Sequence, residues 1–341
     1  MKPTRREFLK ASAAAATATA FGGIGMAQQQ TKKRIVTGQG EHTYEVHHDW
    51  LTPPDNIKWG DTHGVVQDSE GMIHIAHTVH PSSVKKDAML IFDEKGKFVK
   101  SWGEQFVGGA HGLDIRKEGS DEFLYVCDVN HRTITKTSTG GEVVWSVGYP
   151  KESGKYDDPN RWNPTNVAFA PNGDFFVGDG YGSSYIHRYN ADGEYLKTIV
   201  DPGSDAGKVN CPHGLWVDSR GDNEMLVVAD RSNRRLQYFT MDGKHIKFVT
   251  EGIRLPCHLH FNDAGLMLIP DLQSVITILG PNDEVVAMLG DGHPTNLRGK
   301  PRDTYIDGKF IHPHGANWVN GDDILVAEWV PDGRITLLKK V

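Results

Sequence analysis

A short phrase recurs along this chain about every fifty residues, and in most copies a histidine fills the same slot. The histidine is usually followed by a glycine and then by an apolar residue. A repeat of this length that is built from short strands is typical of a β-propeller, in which equivalent positions of the blades converge on one central channel. We therefore expect five imidazoles to point toward one axis. The slots, spaced 45–56 residues apart, hold His63, His111, Asn166, His213, His258 and His314.

The fourth repeat displays the strand pattern most clearly. Residues 214–218 and 225–230 form apolar runs, whereas 235–239 and 245–249 alternate between apolar and polar residues, and turn residues separate the runs. Such runs with hairpin turns between them predict antiparallel strands. The other repeats follow the same pattern. The sequence thus predicts an all-β fold, a six-bladed β-propeller with four antiparallel strands per blade.

In the sixth repeat, the sequence ends before a fourth, outer strand can form. Its three predicted strands end close to Val341, while residues 43–47 near the other end of the chain have the pattern of a strand. An incomplete blade would leave an open sheet edge, which proteins usually cover. We therefore predict that the last blade is closed by an N-terminal strand, with residues near 42–49 paired to residues near 334–340.

The N-terminal 27 residues differ from the rest of the chain. Arg5 and Arg6 open a twin-arginine export signal, an Ala/Thr run follows, and small residues mark a cleavage point near Ala27. A membrane anchor is the alternative, but residues 11–27 are short and Ala-rich for a span. We predict a signal peptide over 1–27, a propeller over 28–341, and a periplasmic or secreted location.

The charge of the chain excludes some partners. The formal net charge is −7, and it becomes −10 once the four basic residues and one acidic residue of the predicted signal are removed. An acidic protein is not expected to bind nucleic acid or an anionic membrane surface. We expect a monomer that acts on a small-molecule or peptide-like substrate.

The recurring histidines suggest a metal site. A single histidine beside a glycine is more often a hydrogen-bonded turn residue, but five recurrences in six equivalent places favour metal binding. Neutral imidazole suits zinc, copper, iron or nickel, and three histidines with one open position is a catalytic zinc geometry. Six positions on a ring cannot all reach one ion, so some of these histidines must do something else.

A second recurring position follows the second strand of each repeat. Capping of the local turn is the simplest interpretation of this position. Tyr181 and Arg231 come just after it, and we expect both to project over the same face of the channel as the histidines. A tyrosine beside a cation and a metal can have its pKa lowered enough to act as a base. The second recurring position is occupied by His77, Asp128, Asp179, Asp230, Asp271 and Glu328.

Three cysteines do not make a disulfide framework. Cys211 and Cys257 each come just before a slot histidine. They could pair in an oxidising compartment, remain buried thiols, or contact a bound metal.

Taken together, the motifs resemble the NHL repeat and, more specifically, the peptidyl-α-hydroxyglycine α-amidating lyase family, over most of residues 60–340. The resemblance implies that His111, His213 and His314 hold a catalytic zinc ion, that Tyr181 is a base, and that Arg231 lies in the active site. The segments that carry the resemblance are 111–113 with 126–129, 178–181, 212–213 with 229–231, and 313–314.

Several positions depart from the family pattern. The first blade reads Ala-His-Thr-Val over 76–79, where the family has an active-site arginine. Gly315 replaces an aspartate that helps bind a structural calcium, so calcium is doubtful, and Gly182 replaces a common cysteine. His63 and His258 are additional. We assign His63, His258 and His312 to substrate contacts or to hydrogen bonds with the metal ligands.

Two functions remain open from the sequence. One is an exported, metal-dependent lyase-like enzyme that acts on a small hydroxylated substrate, with carbinolamide-type C–N cleavage implied by the resemblance. The other is a non-catalytic NHL-type propeller that binds a protein, a glycan or a metal, because a fold does not dictate a function.

Overall fold

Each sequence repeat folds into one antiparallel sheet, and six such sheets form the propeller. The computed structural model describes residues 34–341, so the predicted signal peptide over 1–27 lies outside the described residues. Within 34–341, no helix combines the length and the apolar character needed to cross a membrane.

The first three blades follow the strand pattern that the fourth repeat displays in the sequence. From the channel outward, blade one contains Thr62–Gln67, Ile73–His77, Met89–Phe92 and Phe98–Trp102. Blade two contains Ala110–Glu118, Asp121–Asp128, Thr133–Ser138 and Val143–Val147. Blade three contains Asn166–Phe169, Phe175–Gly178, Ile186–Tyr189, Tyr195–Pro202 and Lys208–Val209.

The remaining blades follow the same order. Blade four contains Pro212–Asp218, Met225–Asp230, Arg235–Thr240 and His245–Val249. Blade five contains His260–Phe261, Met267–Asp271, Val275–Leu279 and Val285–Leu289. Blade six contains Pro313–Val319, Asp323–Glu328 and Arg334–Lys340, followed by His42–His47 and Val36–Gln39 from the other end of the chain.

The N-terminal strand closes the ring as predicted. His42–His47 pairs antiparallel with Arg334–Lys340, so that Tyr44 lies opposite Lys340 and His47 lies opposite Leu337. Two blades carry a fifth edge strand that the four-strand pattern does not include. Val36–Gln39 extends blade six, and Lys208–Val209 pairs in parallel with the outer strand of blade three.

Apolar side chains between neighbouring blades form the core. Between blades three and four, for example, Phe176 and Leu215 pack with Leu226 and Phe239, all of them buried. Burying a Leu or Phe side chain stabilises a fold by about 1.5–3 kcal/mol. Six clusters of this kind surround the channel, and they keep the blades in register so that the slot residues meet.

The second recurring position is structural, which confirms its interpretation as a turn cap. The Asp128 carboxylate accepts hydrogen bonds from the backbone N–H groups of Asn130 and His131, both at 2.8 Å. In blade one an imidazole replaces the carboxylate as the acceptor, because His77 Nδ1 accepts hydrogen bonds from the backbone N–H groups of Gly60 and Val79. Burial lowers the pKa of His77 to about 4, which keeps this acceptor neutral.

Candidate metal centre

Four of the five slot histidines meet at the mouth of the channel. The ring centroids of the three predicted ligands lie 4.6–4.9 Å apart in every pair. His63 joins them, with its ring 4.7 Å from that of His111 and 4.6 Å from that of His314. All four side chains are buried. The structure therefore brings together His111, His213 and His314 and adds His63 to the group.

The three predicted ligands are anchored in the same way. Each ring donates through Nδ1 to a backbone carbonyl of the next blade, at 3.0 Å for His111 and Thr165, 2.7 Å for His213 and Cys257, and 3.2 Å for His314 and His63. A carbonyl oxygen can only accept, so the proton of each neutral ring is on Nδ1 and the lone pair is on Nε2. Metal-binding histidines are commonly oriented by such a bond.

The glycine after each of these histidines makes this bond possible. A Cβ atom on Gly112 would lie 2.2 Å from the Thr165 carbonyl oxygen, and one on Gly214 would lie 2.5 Å from that of Cys257. These carbonyls are the ones that accept from His111 and His213. The His-Gly pair thus has a physical meaning, because the absent side chain lets the neighbouring backbone approach the imidazole.

The Tyr181 hydroxyl lies between two of these lone pairs. Its oxygen is 3.1 Å from His111 Nε2 and 3.0 Å from His213 Nε2. The phenol has one proton, so it can satisfy only one of the two nitrogens. An unsatisfied buried acceptor costs about 1–3 kcal/mol. A cation would use all the inward-facing lone pairs at once, and so this donor set fits a metal ion.

Burial also keeps the imidazoles in the form that a metal requires. It lowers the pKa of His111 to about 3 and that of the other three rings well below the usual value. Neighbouring rings and Arg231 act in the same direction. Neutral imidazole is the ligating form. The described residues contain two triplets of donor atoms that lie within 4.8 Å of one another, namely His63, His111 and His314, and His213, Cys257 and His314.

Arg231 lies beside the cluster and contacts Tyr181. It begins the 3-10 turn Arg231–Asn233, which follows the second strand of blade four. Its guanidinium lies 5.1 Å from the centre of the Tyr181 ring and donates at 3.5 Å to the hydroxyl. It also donates to Cys211 Sγ at 3.1 Å and to Cys257 Sγ at 3.8 Å. Both cysteines are free thiols, so the structure does not contain the disulfide that the sequence left open.

Tyr181 is presented by a tight turn after strand Phe175–Gly178. The Asp179 carboxylate holds this turn by accepting from the N–H groups of Asn163 and Ser183. Tyr181 is 41% exposed, with its hydroxyl directed inward. Burial raises the pKa of Tyr181 to about 12, although Arg231 acts in the opposite direction. The expected lowering of this pKa is therefore not achieved by Arg231 alone, and a base at this position needs a further positive charge.

The other predicted histidines are placed elsewhere. His258 directs Nε2 toward Asp114 Oδ1 at 3.3 Å, and Asn166 donates to Asp114 Oδ2 at 2.5 Å. His312 directs Nδ1 to the Leu272 carbonyl at 2.5 Å and packs against Trp329. Sequence reasoning missed Asp114. The signal that could have revealed it is a carboxylate between the apolar Leu113 and Ile115 of the inner strand of blade two.

The N-terminal segment and the propeller each resemble known proteins. Residues 2–22 match the twin-arginine translocation pathway signal sequence, so the chain carries a signal for export to the periplasm or beyond. The chain is 27% identical over 264 residues to peptidyl-alpha-hydroxyglycine alpha-amidating lyase 2 of Drosophila melanogaster, covering 75% of this chain and 61% of that protein. It is 28% identical over 201 residues to NHL repeat-containing protein 3 of Homo sapiens, covering 57% and 55%.

These alignments span between half and two thirds of the relatives' own lengths. Among solved structures, a streptogramin B lyase superposes with a TM-score of 0.57 at 14% identity, over 89% of this chain and 98% of that one. At this identity the superposition supports the fold alone. The chain is thus an exported six-bladed β-propeller whose homologues are peptidyl-α-hydroxyglycine α-amidating lyases and NHL repeat-containing proteins.

Proposed function

We propose that this protein is a metal-dependent lyase that cleaves the C–N bond of a small hydroxylated substrate of the carbinolamide type. The observation that carries the proposal is the convergence of the Tyr181 hydroxyl on His111 Nε2 and His213 Nε2, with the Arg231 guanidinium beside it. Homology to proteins named as amidating lyases supports the reaction class. The lyase activity, the metal and the substrate are all part of this proposal.

His111, His213 and His314 would hold the metal, with zinc as the leading choice among divalent transition metals. Bound there, such an ion would polarise the substrate hydroxyl and lower its pKa. The bonds from Nδ1 to backbone carbonyls fix the three rings and leave the Nε2 lone pairs free to bind the ion. The protein thus contributes fixed ligand directions and a neutral, buried set of donors.

Tyr181 would transfer the proton. As its phenolate, it accepts the proton of the substrate hydroxyl, the C–O bond becomes a carbonyl, and the C–N bond breaks. The nitrogen departs with the bonding electrons and takes a proton back from the Tyr181 phenol. The products are an amide and an aldehyde, which is glyoxylate when the substrate is an α-hydroxyglycine. No oxidant or reductant is consumed.

Arg231 would bind an anionic group of the substrate. Its hydrogen-bond partners are Tyr181 and two cysteine sulfurs, and none of the carboxylates in the described part of the chain forms an ion pair with it. A partly buried cation without an anionic partner favours a substrate that carries a carboxylate, and it also stabilises negative charge that develops in the reaction. This chain lacks the active-site arginine that the amidating-lyase family has in its first blade, and that difference favours a small substrate over a peptide.

The direct test is turnover of N-benzoyl-α-hydroxyglycine by the metal-loaded protein, measured as glyoxylate release. Replacing Tyr181 with Phe should lower kcat by about 10²–10⁴-fold, which is the usual contribution of a positioned acid or base. Tyr185→Phe is the matched control, because this nearby ring packs on Tyr156 and His187 rather than on the cluster. Bound metal without glyoxylate release would reject this lyase reaction.

Similarity to an NHL repeat-containing protein supports a second candidate, a non-catalytic propeller that binds a protein, a glycan or a metal. On this alternative, Tyr181→Phe and Arg231→Gln would leave partner binding unchanged, and no hydroxylated amide would be consumed. A loss of turnover in both variants, with the metal still bound, favours the enzyme.

A further inference from the structure

We propose that His63 is a fourth imidazole ligand of the cation held at this cluster. The inference rests on the proposed function, because it requires a cation bound by His111, His213 and His314. The resemblance in the sequence assigned three ligands and left His63 to substrate contacts or outer hydrogen bonds. The structure instead places its ring beside two of the three, as far from His111 and His314 as those two are from each other.

The distances suit a shared ion. His63 Nδ1 lies 3.5 Å from His314 Nε2. Two nitrogens bound at about 2.0–2.1 Å to one ion in a tetrahedral arrangement lie about 3.4 Å apart. His63, His111 and His314 also present donor atoms that all lie within 4.8 Å of one another. His63 is 6% exposed, so water is hardly accessible as a hydrogen-bond partner for its ring nitrogen.

The proton positions favour ligation over a hydrogen bond. His314 donates from Nδ1 to the His63 carbonyl, so its Nε2 carries a lone pair that faces His63 Nδ1. While that lone pair is free, His63 can donate a proton to it. Once a cation uses the lone pair, a proton on His63 Nδ1 would face positive charge. The neutral ring then carries its proton on Nε2 and turns the Nδ1 lone pair to the cation.

Two other potential ligands, His258 and Cys257, are less free than His63 to bind the cation. His258 directs Nε2 to the Asp114 carboxylate, and it belongs to neither of the two triplets of close donor atoms. Cys257 directs Sγ to the Leu255 carbonyl and accepts from Arg231. Within residues 34–341, the His63 ring bonds to no carboxylate or carbonyl, and the hydrogen-bond partner of its Nδ1 is His314 Nε2.

A fourth imidazole changes how a substrate could bind. Catalytic zinc sites usually keep one of four positions open, and with four imidazoles that position is filled. A substrate oxygen would then add as a further ligand. The ion would then have to accept a fifth ligand, which zinc can do during a reaction and which copper, nickel or iron also allow.

The test counts nitrogen ligands without using activity. The mature protein is stripped with a chelator and loaded with divalent copper, and the hyperfine coupling to nitrogen is recorded by electron paramagnetic resonance for wild type, His63→Ala and His258→Ala. We expect His63→Ala to lose one coupled nitrogen and to bind copper at least about tenfold more weakly, since even outer contacts of metal ligands are worth that much. His258→Ala should match wild type.

Each outcome has a distinct meaning. If His63→Ala keeps the wild-type spectrum and affinity, His63 is not a ligand, while the three-histidine centre stands. If wild type binds no stoichiometric copper, zinc or other divalent ion, the proposed function fails and this inference with it. If His63→Ala does not fold, His63→Asn replaces it, because Asn166 already fills the same slot in blade three.

Discussion

The even-numbered and odd-numbered blades use one sequence slot for different purposes. In blades two, four and six the slot imidazole is tied through Nδ1 to a carbonyl of the next blade and turns Nε2 to the channel mouth. In blades three and five the slot residue turns instead to the Asp114 carboxylate. Blade one lies between these cases, since His63 reaches the cluster without a carbonyl anchor.

The difference shows that the partner decides the role of an imidazole. In the anchored histidines the carbonyl holds Nδ1 and leaves the lone pair on Nε2, whereas in His258 the Asp114 carboxylate holds Nε2 itself. The residue after the slot separates the clustered histidines from the other two slots. Glycine follows His63 as well as the three anchored histidines, but Val167 follows Asn166 and Leu259 follows His258.

The largest loss of metal affinity should come from His213→Ala in blade four. It removes one of three fixed lone pairs, so we expect affinity for a divalent metal to fall by more than about a hundredfold, beyond the loss seen for outer contacts. The apolar clusters between blades are untouched, so the β-sheet circular dichroism should persist. His245→Ala on the outer strand of the same blade is the control, measured with it by metal analysis after dialysis. Unfolding of His213→Ala would instead indicate a structural ion.

A smaller loss of metal affinity should come from Gly214→Ala. The added Cβ would lie 2.5 Å from the Cys257 carbonyl oxygen, so blades four and five must separate and the His213 anchor must lengthen. We expect a stability loss of about 1–3 kcal/mol from overpacking and a drop in metal affinity of about 10–100-fold. Urea unfolding and metal titration measure both.

Gly221→Ala is the matched control for this variant, since nothing lies within 4 Å of its Cβ position. Equal metal affinity in Gly214→Ala and wild type would break the link between the glycine and the imidazole anchor.

The smallest change in metal affinity should come from Asp114→Asn. The substitution keeps the shape of the side chain but replaces one acceptor with a donor that faces His258. We expect a stability loss of about 1–3 kcal/mol, the cost of a mispaired buried group, with metal affinity unchanged. Asp263→Asn, in an exposed turn of blade five, is the control in urea unfolding. A metal loss comparable to that of His213→Ala would contradict the division between the blades.

The regular parts of the molecule followed from local patterns. Hairpin turns and apolar runs predicted the blades, and the unpaired strand near Tyr44 predicted the closure against Lys340. The edge strand Lys208–Val209 could not be predicted, because it is two residues long and pairs in parallel. The role of Asp114 was equally hidden, since its partners Asn166 and His258 lie in other blades.

The repeat length, the six blades and the set of nitrogen donors that could reach the channel all follow from the order of the residues. Which of these donors come together, and which do not, depends on how the blades pack. The reason is that each imidazole is oriented by a hydrogen-bond partner in a different blade, as His213 is by Cys257 and His314 by His63. A partner that distant in the chain leaves no local pattern beside the residue that it controls.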